Sequence, residues 1–315
     1  MSLRKQALSG MLWSSIQTFG NQFINFGVSI ILARLLLPAE FGLIGMIGIF
    51  MGVGGALIGS GLGASLIRTT DADQGDYSTV FVFNFVGSII IYAVMFIAAP
   101  YIADFFKQPV LTKITRLYTL SFIISAFTAV QVTRLHKHLD FKTETKSSLV
   151  STLVSAVVGV SLAYSGFGVM SLVWMGLAGA VVNTAMLWVQ SGWRPSLIFD
   201  QQKFRYHFGF GSRMMFSGIL DILFSNAYTI LIGKFYAPAQ LGFYNRADIF
   251  KTAYTDRSML HFADSFIKEH HIDKLSFVLN NVKTEFSRYG NKYGYGYYNM
   301  ESKRTGIMGI ILKRE

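Results

Sequence analysis

The sequence predicts an all-α fold, a polytopic transmembrane helix bundle with one six-helix lobe and the start of a second. Three observations predict it. Only 14% of the 315 residues are charged and 52% are hydrophobic, whereas soluble domains carry about 25% charged residues. Apolar runs with few charges recur along the first 235 residues, at the length of about 20 residues that crosses roughly 30 Å of hydrocarbon. The connections between them are short, as in Leu37-Pro38-Ala39-Glu40 and Ser165-Gly166-Phe167-Gly168, so consecutive helices are antiparallel neighbours.

The expected spans are 11–36, 41–67, 79–105, 112–133, 147–165, 168–190 and 211–235. The first has the basic start of a signal peptide. It runs on to Leu37 without a small-residue cleavage site, which makes it a first transmembrane helix and insertion signal. The second is glycine-rich, with Gly55, Gly59 and Gly63 at spacing four, and Gly48 and Gly52 likewise. Small residues so spaced let helix backbones approach closely. Residues 1–190 then make the six-helix lobe, 191–250 begin the second lobe, and 251–315 form a polar tail.

Lysine and arginine fix the orientation. With the N-terminus in the cytoplasm, inside segments hold Arg4, Lys5, Arg68, Arg134, Lys137, Lys142, Lys146, Arg194, Lys203 and Arg205. Outside segments hold Arg34, Lys107, Lys113, Arg116 and Lys234. A net charge of +11 in a soluble protein would suggest nucleic acid. Here the basic residues collect at span ends, where anionic headgroups lie, so the expected partner is the lipid bilayer. The chain has no cysteine, which excludes disulfides, thiolate metal sites and cysteine nucleophiles.

The chain also repeats itself at an offset of 200. SIILARLLLPAEFG (29–42) lies over TILIGKFYAPAQLG (229–242), matching Pro38, Ala39 and Gly42 to Pro238, Ala239 and Gly242. Internal repeats are common in secondary transporters. Under the same offset two polar stripes coincide. Ser14, Gln17, Asn21 and Asn25 share one face of the first span; Ser217, Asp221, Ser225 and Thr229 share one face of the seventh. Two readings fit these stripes, the lining of a cavity between lobes and hydrogen bonding between helices. Asp221 is the sharpest candidate, because a carboxylate in a span is costly unless hydrated, protonated or paired. It would bind a coupling cation or proton, or pair with an arginine.

Arg68 and Arg213 sit near the cytoplasmic ends of the second and seventh spans. Guanidinium grips phosphate oxygens in a fork, so these two are candidates for a diphosphate head group; ordinary positive-inside anchoring is the other reading. No HExxH, GxSxG or P-loop pattern is present, so no catalytic residue and no enzyme activity are expected. His270 and His271 stand side by side in the tail, too few for a metal site. No cofactor is expected. Without an ATPase domain, pumping would depend on a proton or sodium gradient or on a partner.

Several stretches now carry a resemblance. GSGLGASLIR (59–68), DYSTVFVFNFVGSIIIY (76–92), APYIADFF (99–106), LDFKTETKSSLVSTLVS (139–155), GFGVMSLVWMGL (166–177), SGWRPSLIFD (191–200) and IGKFYAPAQLGFYNRAD (232–248) together resemble the polysaccharide-export flippase family, collinearly over about the first 250 residues. The resemblance implies two six-helix lobes and membership of the wide superfamily that includes drug/cation antiporters. It implies a bacterial inner-membrane protein that turns an undecaprenyl-diphosphate-linked oligosaccharide from the cytoplasmic to the periplasmic leaflet by alternating access, with polysaccharide polymerase machinery as a downstream partner. A drug/cation antiporter of the same superfamily and a non-functional truncated remnant are the competing readings. After about Phe250 the chain departs from the family. Its last 65 residues hold 11 basic and 7 acidic groups and no stretch of span length, as expected of a truncated or frame-shifted product with a foreign tail.

Overall fold

The computed structural model describes residues 3–249. The tail, with His270 and His271, lies outside the described residues. The described chain forms ten helices: α1 (Leu3–Leu35), α2 (Pro38–Arg68), α3 (Gln74–Phe105), α4 (Val110–Tyr118), α5 (Leu120–Lys137), α6 (Phe141–Tyr164), α7 (Val169–Gln190), α8 (Gln201–Ser225), α9 (Ala227–Phe235) and α10 (Pro238–Ile249). The chain is an all-α, multi-pass membrane bundle. Among the described residues, α2, α3, α4 with α5, α6 and α7 are long and apolar enough to cross a membrane, and α8 with α9 makes a sixth candidate if the bent pair is one span. The helix over the first expected span, α1, is absent from that set. It has the length, but Gln17, Asn21, Gln22 and Asn25 lower its hydropathy.

Capping chemistry places the helix starts. Pro38 opens α2 at a position where its missing N–H costs nothing, and the Glu40 carboxylate accepts the Leu37 N–H at 2.8 Å. Helix α3 starts five residues before the expected span because Asp73 and Asp76 form a reciprocal capping box: Asp76 N–H donates to Asp73 at 3.0 Å and Asp73 N–H to Asp76 at 2.9 Å. Asp140 caps α6 through the Thr143 N–H, and Asp200 caps α8 through the Gln202 and Lys203 N–H groups. The fourth expected span is interrupted at Thr119, where α4 passes to α5. The seventh bends by 46° where α8 passes to α9. At that bend the Asn226 side chain donates to the Ile222 carbonyl at 2.9 Å. Gly166 and Gly168, at φ of 81° and 56°, make the left-handed turns that return α7 alongside α6.

The core runs between α2, α3, α4, α5 and α7, with Met46, Ile47, Leu111, Ile114 and Val173 fully buried and Leu241 of α10 closing it. A second cluster, Leu66, Tyr77, Phe81, Val130 and Trp193, fills the end where α3 and α8 begin. Helix α1 packs along α6 through Val28, Leu32, Leu36, Ala156 and Ala163.

Two backbone approaches fix α2. A β-carbon on Gly61 would lie 1.9 Å from the Gly211 carbonyl oxygen, so α2 and α8 touch without side chains between them. Of the regularly spaced glycines expected to do this, Gly63 lies close against Thr133 of α5, where a β-carbon would be 2.9 Å from Oγ1, whereas Gly48 and Gly55 face open space and Gly52 meets only the Ile222 side chain. The second approach joins the two repeats. A β-carbon on Gly42 would lie 1.8 Å from the Pro238 oxygen, and one on Gly242 would lie 1.9 Å from the Pro38 oxygen. Gly45 likewise meets Asn245. Matched positions facing each other over a turn are the pairing of two parallel helices related by a two-fold axis running along them. The caps match too: Ala237 N–H donates to Gln240 at 3.1 Å, as Leu37 does to Glu40.

Candidate functional site

Along α1, two residues of the polar stripe are committed to α6. Asn21 donates to Ser148 Oγ at 2.6 Å and accepts from Thr152 Oγ1 at 2.9 Å. Gln17 Oε1 accepts from Thr145 Oγ1 at 3.4 Å, a hydroxyl that also reaches the Trp13 and Phe141 carbonyls. Helix α6 is rich in serine and threonine on this side, and each hydroxyl uses its second lone pair or its proton across the seam. Asn25, one turn further, is exposed.

Helix α8 carries the other stripe. Its start is pressed onto α2 at Gly211, and beyond that point Arg213, Asp221 and Ser225 are all exposed. Asp221 stands just over one turn before the Asn226 bend and Ser225 immediately beside it. Arg68, at the end of α2, is exposed and stacks over the Phe210 ring at 5.0 Å. The structure therefore brings Arg68 to α8, three residues from Arg213. It does not bring the α1 stripe to the α8 stripe, because α1 packs on α6 whereas α8 packs on α2 and α3.

A further polar cluster ties α2, α3 and α8 together. The His207 ring is fully buried. Its Nδ1 lies 2.8 Å from Ser65 Oγ and its Nε2 3.1 Å from Asp76 Oδ1. A neutral ring with its proton on Nε2 satisfies both bonds, donating to Asp76 and accepting from the Ser65 hydroxyl. Lys203 Nζ completes the set, 2.5 Å from Asp73 and 3.4 Å from Asp76. That ammonium, with the Asp76 N–H, holds the Asp73 carboxyl well below the usual carboxylate range. The order Ser–His–Asp is that of a hydrolase relay, yet Ser65 is 3% exposed and His207 0%. Enclosed between the helices, the three side chains clamp α2, α3 and α8 together. Sequence reasoning missed it because Asp76 and His207 lie outside the apolar runs. The capping residues Asp73 and Asp200 were the available signal, since they extend α3 and α8 far enough to include both.

Among the described residues, no group of three His, Cys, Asp or Glu is placed to hold a metal ion.

Comparison with known proteins adds a family. A sequence profile described as "Polysaccharide biosynthesis protein" matches residues 31–259. The teichuronic acid biosynthesis protein TuaB of Bacillus subtilis is 28% identical over 254 residues, covering 78% of this chain and 51% of that protein. The succinoglycan biosynthesis transport protein ExoT of Rhizobium meliloti is 24% identical, covering 76% of this chain and 48% of its own length. The lipopolysaccharide biosynthesis protein WzxC of Escherichia coli is 23% identical, with coverages of 78% and 51%. The chain spans about half the length of each of these relatives.

Proposed function

The chain belongs to the polysaccharide biosynthesis protein family, and on that premise we propose that it serves as a flippase in polysaccharide biosynthesis. Its substrate in this reading is an undecaprenyl-diphosphate-linked oligosaccharide repeat unit, carried across the cytoplasmic membrane by alternating access. The observation that carries the reading is the family match over residues 31–259, laid on a bundle of apolar, membrane-crossing helices. One of the relatives is named as a transport protein.

Residues 1–190 form the first lobe and 191–250 begin the second. The two-fold contact between α2 and α10 supports that division, because parallel repeats about an axis along the membrane normal are a known transporter plan. In this reading Asn25 lines one side of the substrate path, with Gln17 and Asn21 holding α1 to α6 behind it, Asp221 and Ser225 line the other side, and Arg68 and Arg213 receive the diphosphate. The bend at Asn226 supports the α8 side, since binding sites in transporters gather at discontinuous helices. Asp221 takes the coupling proton or sodium ion. The N-terminus lies in the cytoplasm, and the product passes to the polymerase machinery.

Deleting the gene in its host tests the reading. Loss of one surface polysaccharide, with its lipid-linked repeat units accumulating in the cytoplasmic leaflet, is the expected result. Intact surface polysaccharide with raised drug susceptibility would instead identify an antiporter, and no change at all would identify a remnant.

A further inference from the structure

We propose that a pocket at the basic end of the bundle, away from the α8 stripe, binds a phosphate group through Arg134. The pocket has a volume of about 310 Å³ and is lined by Tyr77, Arg134, Lys137, His138 and Trp193 among others. That volume lies at the lower end of the range for small-molecule sites, about 300–1,000 Å³.

Arg134 carries a charge that its protein neighbours leave unbalanced. The guanidinium sits against the edge-to-face Tyr77–Trp193 pair, 5.5 and 5.6 Å from the two centroids. Its Nε is buried without a hydrogen-bond partner among the described residues, and none of them forms an ion pair with it. Arg134 as a whole is half-buried; a cation drawn part-way out of water gains from being paired and hydrogen-bonded, and a planar fork of five donors matches phosphate oxygens. The two rings, edge to face at 6.1 Å, position the guanidinium at the wall of the pocket.

The surroundings are built rather than incidental. Trp193 is 7% exposed and is held from both ends: its indole N–H donates to Gln74 Oε1 at 2.6 Å, and its carbonyl accepts from Gln131 Nε2 at 3.3 Å. Gln74 in turn donates to the Arg194 carbonyl at 2.8 Å, so the same glutamine fixes the linker and the ring. Lys137 donates to the Leu66 and Thr69 carbonyls and keeps a third N–H. His138 is exposed beside it. The acidic residue in the lining, Asp73, is already occupied by Lys203 and the Asp76 N–H. The free charge facing the pocket is therefore positive.

A phosphate reaches this site from either of two sources, an anionic phospholipid headgroup of the bilayer or a soluble or substrate-borne diphosphate. The site's chemistry is the same for both and does not rest on the transport reading.

The test uses the full chain in phosphatidylcholine nanodiscs, titrated with inorganic pyrophosphate in a calorimeter. Saturable binding is expected, weakened about tenfold or more by Arg134→Gln, the loss of one charge-assisted contact or more. Arg134→Lys keeps the charge and loses the fork, and is expected to weaken binding by several fold while eluting as the wild type does. Lys142→Gln, in the first turn of α6 and outside the pocket lining, is expected to leave binding unchanged. In discs containing phosphatidylglycerol, competition with pyrophosphate assigns the site to the bilayer headgroup, and unchanged affinity assigns it to the diphosphate source. Absence of saturable binding in phosphatidylcholine discs overturns the proposal, as does binding that neither Arg134 variant alters.

Discussion

The two-fold contact between the repeats makes a quantitative prediction. In Gly42→Ala the new methyl would sit 1.8 Å from the Pro238 oxygen, and in Gly242→Ala 1.9 Å from the Pro38 oxygen, where real β-carbons stay beyond 3.0 Å. Each substitution must therefore part α2 and α10 by about 1 Å, a gap that forfeits a quarter to a half of each contact's attraction along the seam. Overpacking of this kind costs about 1–3 kcal/mol, and about 1 kcal/mol returns as improved helix propensity. Each single variant should thus lose up to about 2 kcal/mol, and the two losses should be nearly equal. The double variant should cost less than their sum, because one separation of the helices admits both methyls. Gly48→Ala and Gly55→Ala meet nothing within 4 Å and should gain up to about 1 kcal/mol from propensity alone. Unfolding of the purified chain in dodecyl sulfate, followed by tryptophan fluorescence, measures all five variants. The reasoning is refuted if Gly42→Ala is as stable as Gly48→Ala, or if the double variant's cost equals the sum of the singles.

Three further outcomes are expected. His207→Ala strands Ser65 and Asp76 in a buried site and should cost about 3 kcal/mol in the same unfolding assay, whereas a neutral result would show that the clamp carries no load. Asn21→Leu removes two bonds to α6 and should cost about 1 kcal/mol, while Asn25→Leu should leave stability unchanged and lower export; equal stability effects for the pair would remove the distinction drawn along α1. Asp221→Ala and Arg213→Ala, made in the chromosomal gene, should bring surface polysaccharide to the deletion background without lowering membrane abundance, and normal export by both would remove them from the path.

Much of the fold was legible because membrane helices announce themselves by length and apolarity. The runs at 79–105, 147–165 and 168–190 fall within α3, α6 and α7 almost to the residue at their far ends. What escaped notice lay where the chain leaves hydrocarbon. There the helix starts are set by Asp73, Asp140 and Asp200 as caps, which hydropathy does not register. Missing those turns hid the His207 clamp. The breaks at Thr119 and Asn226 were equally silent, because an apolar run reads the same whether straight or bent. For α1, the polar stripe was visible at the right spacing, but spacing alone does not say which neighbour it faces; Ser148 and Thr152 of α6 supplied that answer for Asn21. The glycine pattern was right for Gly63, against Thr133, and incomplete elsewhere for the same reason. Regular spacing pointed to Gly48 and Gly55, whereas close approach depends on a small residue opposite, as Gly211 stands opposite Gly61.

The bend at Asn226 makes a lever of helix α9. Upstream, α8 is held by the His207 cluster and the Gly61–Gly211 contact. Downstream, α9 is an arm of nine residues, about 13 Å long at 1.5 Å per residue. A change of about 10° in the bend would carry the tip of that arm through roughly 2 Å. The tip ends beside Lys234, whose ammonium reaches the Phe105 carbonyl at 2.6 Å, and it leads directly into Pro238 and the seam with α2. Because Gly233 of α9 lies against Phe106, Met46 and Leu241, flexing at Asn226 would press first on that core and through Leu241 on the two-fold contact.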